Sequence, residues 1–306
     1  MIDVHGLCKS FKTGKTQVQA VSNVSFKALD GQITGLLGPN GAGKTTTMRM
    51  LYTLMQPDSG SVTVDGFDIH TQANAVRQRL GVLPDARGLY KRLTARENIA
   101  YFGRLQGLPE ATISQRIEQL SDRIGMADIL DRRCEGFSNG QRVKTALARA
   151  LVHDPKNVIL DEPTNGLDVM STRSLRKIML NLRAEGRCVL FSSHIMQEVA
   201  ALCDVIVVIA KGTVVAAGTA DALRELGGAR AGHQRLGRHA AHVDAGAAEV
   251  VALDHCGLQP FAAAACCNGW PGLASADDDG VEDLNVHGGT RSGRNRSSEP
   301  PLRRRG

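Results

Sequence analysis

Hydrophobic and polar positions alternate at the start of the chain. Residues 2–11 and 17–26 both follow a two-residue period, and Gly14 lies in the turn between them. This alternation predicts a pair of antiparallel strands. A short apolar run then begins at Ile33 and leads into a glycine-rich turn and a helical pattern at about 43–55. We therefore expect a strand, a loop and a helix in direct succession.

The middle of the chain has a helical periodicity. From Thr94 to Arg133 the pattern is helical, and Ile113, Ile117, Leu120 and Ile124 recur at intervals of four, three and four, which predicts that they share one face of a helix. We expect that helix to end at Gly125, and a second helix to follow Gly140. These helices form a predicted helical subdomain at about 88–140.

Continuous apolar runs replace the alternating pattern after this helical region. Strands without polar alternation are buried on both faces, and strands that alternate with helices favour a parallel sheet. The apolar runs are 157–161, 187–191 and 205–210, and the helical segments between them are 170–184 and 195–202. The last run continues into a predicted hairpin that ends at Ala217.

Composition divides the chain near residue 227. Residues 227–306 contain no Lys, Ile, Met or Tyr, although they hold five of the nine His and three of the seven Cys. One interpretation is a regulatory extension that binds metal. We favour a segment that stays disordered because it has few large apolar residues, or one translated from a shifted reading frame. The predicted domains are accordingly 1–226 and an atypical tail, 227–306.

Charge and cysteine content exclude several classes of protein. The net charge of +6 suits an anionic ligand, but it is too small to indicate nucleic-acid binding by itself. The seven cysteines include no CxxC pair, which argues against a disulfide framework and a structural zinc site. No apolar run approaches the roughly 20 residues of a membrane helix, and the first residues show no secretory signal. We expect a cytoplasmic protein.

A phosphate-binding loop follows the strand that begins at Ile33. The segment Gly38–Thr45 matches G-x-x-x-x-G-K-[S/T] and lies between a predicted strand and a predicted helix. Glycines allow successive N–H groups to face phosphate oxygens, and the helix N-terminus adds its positive dipole. Lys44 would contribute a charge to the β- and γ-phosphates, and the Thr45 hydroxyl could bind Mg²⁺. The sequence therefore predicts a nucleoside triphosphate site.

An acidic pair completes the predicted site. Asp161 and Glu162 follow an apolar run, so they should emerge at the carboxyl edge of a parallel sheet, where ligands bind. Asp161 would hold the magnesium ion, and Glu162 would act as general base toward the attacking water.

Further motifs resemble those of the ABC-type ATPases. Residues Phe137–Gln141 resemble the signature motif, Asp161–Asp168 resembles the magnesium strand with its D-loop, and Ser192–His194 resembles the switch-histidine loop. Together with the phosphate loop they cover residues 1 to about 225. Two stretches, Leu83–Thr94 and Ala148–Ser171, resemble more closely the ATP-binding subunits of bacterial sodium-extruding exporters.

The resemblance implies a fold and a set of site residues. The implied fold is α/β: a P-loop NTPase with a RecA-like parallel core, an N-terminal antiparallel β subdomain and the helical signature subdomain. The implied catalytic residues are Glu162, His194 and Lys44, and the implied metal ligands are Thr45, Asp85 and Asp161. The implied ATP-binding residues are Phe11, Gly38, Pro39, Asn40, Gly41, Ala42, Gly43, Lys44, Thr45, Thr46, Ser138, Gly140, Gln141 and Asp168. Phe11 would stack on adenine.

Two positions differ from the family pattern. Asp85 occupies the place of the Q-loop glutamine, and a carboxylate is still an oxygen ligand for magnesium. Asn139 replaces a signature glycine, and we expect a modest effect because asparagine tolerates left-handed backbone.

The implied function is ATP hydrolysis that drives export. ATP would close a head-to-tail homodimer, and a separate integral membrane permease would contact residues 88–135, with 90–96 at the contact. The subunit would then lie at the cytoplasmic face of the inner membrane, and its cargo would be sodium or another small solute.

One alternative function is that of a nucleic-acid-associated ATPase. However, only about 90 residues separate the phosphate loop from the signature, and no nucleic acid partner is expected. Another is a nucleotide-gated regulator with little turnover.

Overall fold

The computed structural model describes residues 1–14, 16–85 and 88–224. The atypical tail predicted from composition, 227–306, lies outside the described residues. Within them, no helix is both long and apolar enough to cross a membrane.

The first strands form an antiparallel sheet. Its strands are β1 (Ile2–Thr13), β2 (Thr16–Ala28), β4 (Ser59–Val64) and β5 (Phe67–Asp68), in the order β2-β1-β4-β5. The predicted alternating pair is therefore confirmed, and β1 pairs with β2 from Ile2 opposite Ala28 to Thr13 opposite Thr16.

A second, mostly parallel sheet forms the centre of the fold. Its strands are β3 (Ile33–Leu37), β6 (Leu80–Leu83), β7 (Asn157–Leu160), β8 (Cys188–Ser193), β9 (Val205–Ala210) and β10 (Thr213–Gly218). Their order is β10-β9-β3-β8-β7-β6, and only β10 pairs antiparallel to its neighbour. The predicted α/β class and the hairpin at the end are confirmed.

Helices connect and cover these sheets. They are α1 (Lys44–Leu51), α2 (Ala73–Arg79), α3 (Ala95–Leu105), α4 (Glu110–Ile124), α5 (Asn139–Leu151), α6 (Val169–Ala184) and α7 (Met196–Leu202), with a 3₁₀ turn at Ala127–Ile129. The single helical pattern predicted from Thr94 to Arg133 is thus divided into two α-helices and a turn. As expected, Gly125 ends α4, and its φ of 67° lies in the left-handed region that favours glycine.

The central sheet is buried on both faces, as its unbroken apolar runs predict. Two neighbouring residues of β3 point to opposite faces of the sheet, and both are buried. Leu37 packs into the hydrophobic cluster that includes α3 to α6, whereas Leu36 packs into the cluster that includes the antiparallel sheet. The two hydrophobic clusters therefore fix the sheet between the helical layer and the antiparallel sheet.

The register of the parallel strands brings four loops to one edge. Leu37 pairs with Ser193, and Leu160 pairs with both Phe191 and Leu83. Because parallel strands end at the same edge, the segments that follow β3, β6, β7 and β8 converge there. Those segments carry the phosphate loop, Asp85, the acidic pair and His194.

Candidate active site

The phosphate loop depends on glycines at three positions. Gly41 and Gly43 have φ values of 80° and 102°, which residues with a Cβ atom rarely adopt. A Cβ on Gly43 would lie 2.5 Å from the Ala20 carbonyl oxygen, and one on Gly38 would lie 2.2 Å from that of Ile209. The loop therefore has the tight path that directs backbone N–H groups inward, and it opens directly into α1.

Lys44 is a buried cation at the start of α1. Its side chain is only 5% exposed, and Nζ donates hydrogen bonds to the carbonyl oxygens of Gly38 (2.7 Å) and Pro39 (3.2 Å). The same Nζ lies 3.2 Å from Oε1 of Glu162. A buried charge requires such partners, so this ion pair joins the phosphate loop to the acidic pair.

Asp161 is held by hydroxyl groups from two other segments. Ser192 Oγ donates to Asp161 Oδ1 over 2.6 Å, and Thr45 Oγ1 lies 3.4 Å from the same oxygen. Burial raises the pKa of Asp161, and the nearby carboxylates of Asp85 and Glu162 add to that rise, while the two hydroxyls oppose it. A cation beside this carboxylate would stabilise its charged form.

Glu162 connects the acidic pair to the loop after β8. Its backbone has a φ of 46°, and its N–H donates to Ser192 Oγ over 2.9 Å. Its Oε2 lies 2.9 Å from Nδ1 of His194. The Glu162 side chain is therefore fixed by Lys44 at one carboxylate oxygen and by His194 at the other. Its positive φ is unfavourable for a residue with a side chain, so the surrounding contacts must stabilise this backbone conformation.

These side chains line one cavity of about 390 Å³. The lining residues are Ala20, Asn40, Gly41, Gly43, Lys44, Thr45, Thr46, Asp85, Glu162, Asn165 and His194. The structure thus brings the phosphate loop together with Glu162, His194 and Asp85. Asp161 lies next to Thr45 at the same edge of the sheet.

The donor atoms fit a magnesium ion that is shared with a nucleotide. Asp161 Oδ2 is buried and accepts no hydrogen bond within the described residues, beside the hydroxyl of Thr45. In this part of the chain, no three His, Cys, Asp or Glu side chains lie close enough to hold a metal ion by themselves. Magnesium is usually bound through one or two carboxylates together with phosphate oxygens and water, so this incomplete protein donor set agrees with binding as part of a nucleotide complex.

The signature residues Ser138, Gly140 and Gln141 and the last D-loop residue, Asp168, are not among the residues that line this cavity. Ser138 caps α5 in a reciprocal pair with Gln141: Ser138 Oγ accepts from Gln141 N–H, and Gln141 Oε1 accepts from Ser138 N–H. Asp168 caps α6, and its hydrogen bonds from Ser171 lower its pKa. Gly140 is buried at the start of α5.

Phe11 is also absent from the cavity lining. It lies on β1 opposite Val18, and its side chain is 37% exposed. Lys9 Nζ lies 6.0 Å from the centre of its ring. An exposed aromatic face is available for stacking at this position.

Several residues that shape the site were not predicted from the sequence. Ala20 of β2 lines the cavity, although it belongs to no sequence motif. Glu198 on α7 accepts hydrogen bonds from Thr164 and Ser193, and so joins the D-loop to the loop that carries His194. Asn165 lies within the D-loop motif, so its motif position was a usable signal.

Comparison with known proteins identifies the family. The ABC transporter family model matches residues 21–165. The chain is 48% identical over 226 residues to the ABC transporter ATP-binding protein NatA of Bacillus subtilis, an alignment that covers 74% of this chain and 92% of that protein. The chain belongs to the ABC transporter ATP-binding proteins. The resemblance of its motifs to ABC-type ATPases is thereby confirmed.

Other ABC relatives and structures agree with this assignment. The chain is 35% identical to the linearmycin resistance ATP-binding protein LnrL of Bacillus subtilis, with 74% of this chain and 72% of that protein covered. It is 38% identical to the Nod factor export ATP-binding protein I of Ralstonia nicotianae, with 71% and 67% covered. A solved ATP-binding subunit of an ABC transporter matches with a TM-score of 0.67 at 29% identity over 75% of this chain and 94% of that one. A dimeric ATP-binding cassette bound to ADP and Pi has the same fold at 21% identity, with a TM-score of 0.67 over 72% and 99% of the two chains.

Proposed function

We propose that this ABC ATPase is the ATP-hydrolysing subunit of an exporter, with Lys44, Glu162 and His194 as its catalytic residues. The observation that carries the proposal is the contact of both Glu162 carboxylate oxygens, one with Lys44 and the other with His194, at the wall of the cavity. Residues 1–226 form the proposed cassette. Export is supported by the names of relatives that act in Nod factor export and linearmycin resistance.

The proposed chemistry follows from the roles available to these groups. Residues Gly38 to Thr46 surround the phosphates and offer them backbone N–H groups, except for Pro39, which has none, and Lys44 exchanges its carbonyl contacts for the β- and γ-phosphates. Glu162 accepts the proton of the attacking water at a carboxylate oxygen, while His194 holds the γ-phosphate. ATP and water yield ADP and phosphate. Thr45, Asp161 and Asp85 would hold magnesium, which supplies charge neutralisation at the phosphates when it is bound.

The remaining site residues are proposed to act in an ATP-dependent homodimer. Ser138, Gly140 and Gln141 open α5, whose N-terminus favours an anion. Because these residues lie outside the cavity of their own chain, we assign them to the γ-phosphate held by a second copy, together with Asp168. Phe11 is assigned to adenine stacking on its exposed face.

A membrane permease is the proposed partner of the helical segment 88–135. Three large side chains on α3 or in the segment before it are exposed: Tyr90 (49%), Tyr101 (39%) and Leu105 (63%). The rings of Tyr90 and Tyr101 meet edge to face, with centres 5.5 Å apart. Together with residues 90–96 they supply apolar area for docking, which would hold the subunit at the cytoplasmic face of the inner membrane. Sodium or another small solute is the proposed cargo.

ATP turnover by the purified chain tests the proposal. The Glu162→Gln variant should lose at least about 100-fold in turnover, since it cannot accept the water proton, and should still bind ATP and accumulate as an ATP-stabilised dimer. Glu185→Gln is the matched control, because Glu185 is an exposed carboxylate that pairs with Arg187, and it should keep parental turnover. A parent chain that binds ATP without turnover would favour the nucleotide-gated regulator. Full activity in Glu162→Gln would remove Glu162 as the base.

A further inference from the structure

Asn139 makes a hydrogen bond that the usual signature glycine could not make. It is the first residue of α5, and its Nδ2 donates to the Gly166 carbonyl oxygen over 3.0 Å. Gly166 has a φ of 70°, and a Cβ there would lie 3.2 Å from the same amide nitrogen. The asparagine therefore bonds to a loop whose backbone conformation presents its carbonyl to the start of α5.

The first turns of α5 and α6 also pack directly against each other. Gly140 is buried, and a Cβ at this position would lie 2.5 Å from Ser171 Oγ. Ser171 is in turn fixed by Asp168, to which its N–H donates over 2.9 Å and its hydroxyl over 2.6 Å. The Asn139 bond thus belongs to a close contact between the two helix starts.

The loop that Asn139 contacts leads back to the proposed base in two short turns. The N–H of Asn165 donates to the Glu162 carbonyl over 3.2 Å, and the N–H of Leu167 donates to the Thr164 carbonyl over 3.1 Å. Because these turns overlap, a shift of Gly166 is passed along the backbone to Glu162. Only three residues lie between Glu162 and Gly166.

We propose that Asn139 is a positioning residue that couples the signature end of α5 to the loop that carries Glu162. This inference rests on the proposed function, in which the signature of one subunit contacts the ATP bound by the other. Each Asn139 then links the ATP of the neighbouring site to the base of its own site. Binding of the second ATP therefore sets Glu162 for hydrolysis, and the rate rises cooperatively with ATP concentration.

Two variants remove the amide donor in different ways. Asn139→Asp keeps the side-chain shape but loses the donor, and Asn139→Ala removes the polar group without adding charge. Asn181→Asp is the matched control, since Asn181 is an exposed residue of α6 away from the loop. Unchanged melting temperatures would show that all three variants fold as the parent does.

Hydrogen exchange in the nucleotide-free protein tests the link itself. In both Asn139 variants, the amides of Asn165 and Leu167 should exchange about tenfold faster, because loss of one hydrogen bond frees the loop. The Hill coefficient of ATP hydrolysis should fall toward one in the same variants and stay at the parental value in Asn181→Asp.

Each alternative result is decisive. Unchanged exchange at Asn165 and Leu167 would overturn the link. Faster exchange with a parental Hill coefficient would overturn the coupling and leave Asn139 as a local support of the loop. A parent chain without turnover defeats the proposed function instead, and the exchange comparison then still decides whether Asn139 holds the loop.

Discussion

Single side chains in this protein carry contacts that join distant segments. Ser192 is the clearest case: its hydroxyl accepts from the Glu162 N–H and donates to Asp161, so one oxygen orients both acidic residues. Ser192 is fully buried, and a buried hydroxyl that uses both its donor and its acceptor is well fixed. The orientation of Asp161 and Glu162 therefore depends on a residue of a different strand, β8.

His153 is a half-buried residue that should make stability depend on pH. Its Nε2 lies 3.1 Å from the Leu80 carbonyl, and its Nδ1 is buried without a hydrogen-bond partner in the described segments. Burial lowers the pKa of His153 below its ordinary value near 6.5. The unfolded chain therefore binds this proton more readily, and the free energy of unfolding falls as the pH drops below about 6.5 until the folded pKa is reached.

Urea unfolding at pH 7.5 and 5.5 measures this effect. We expect the parent to lose stability relative to His153→Gln at the lower pH, by at most about 1.4 kcal/mol for each pH unit. Glutamine keeps an N–H donor but does not titrate. A stability difference between parent and variant that stays constant with pH would contradict the assignment to His153.

At the scale of elements, a buried amide fixes the segment that enters α3. Asn98 is fully buried, and its Nδ2 donates to the carbonyls of Tyr90 (3.1 Å) and Thr94 (2.9 Å), while its Oδ1 accepts from the Tyr90 N–H (3.0 Å). The nearby Arg149 of α5 is also buried and donates to the Gly88 carbonyl over 2.9 Å. The chain that leaves Asp85 is thus attached to two helices of the helical subdomain.

Replacing Asn98 should destabilise the protein strongly. In Asn98→Ala the Tyr90 N–H loses its acceptor and the carbonyls of Tyr90 and Thr94 each lose one donor, which should cost about 2–4 kcal/mol of the free energy of unfolding. Chemical denaturation measures this loss. The exposed Asn181→Ala should change the free energy of unfolding by less than about 0.5 kcal/mol. Equal effects of the two substitutions would show that the Asn98 bonds contribute little.

At the scale of the whole molecule, the described core does not extend past residue 223. Both hydrophobic clusters and the cavity consist of residues between Ile2 and Leu223. A chain that ends after Leu226 should therefore keep its melting temperature within about 2 °C and its affinity for ATP, because it retains every residue of these clusters and of the cavity. Calorimetry and nucleotide titration of the shortened and full chains check this. Loss of ATP binding or of folding on truncation would show that residues 227–306 contribute to the cassette.

The sequence by itself determined the elements whose signals are local. The phosphate loop needs glycines at fixed spacing next to a lysine and a threonine, and the buried parallel strands need unbroken apolar runs, so both are visible in short windows of sequence. The helix α2 and the strand β6 were missed because each is only seven residues or fewer and neither has a distinctive period. Their place in the fold comes from pairing with β7 and packing on the antiparallel sheet.

Only the tertiary structure decided which of the motif residues meet. The contacts of Glu162 with Lys44 and His194, and of Asn139 with Gly166, join segments 27 or more positions apart in sequence. Such distances depend on the register of β3, β7 and β8 and on the packing of α5 against α6. No local pattern encodes that register, because it is set by how the buried faces of separate elements fit together.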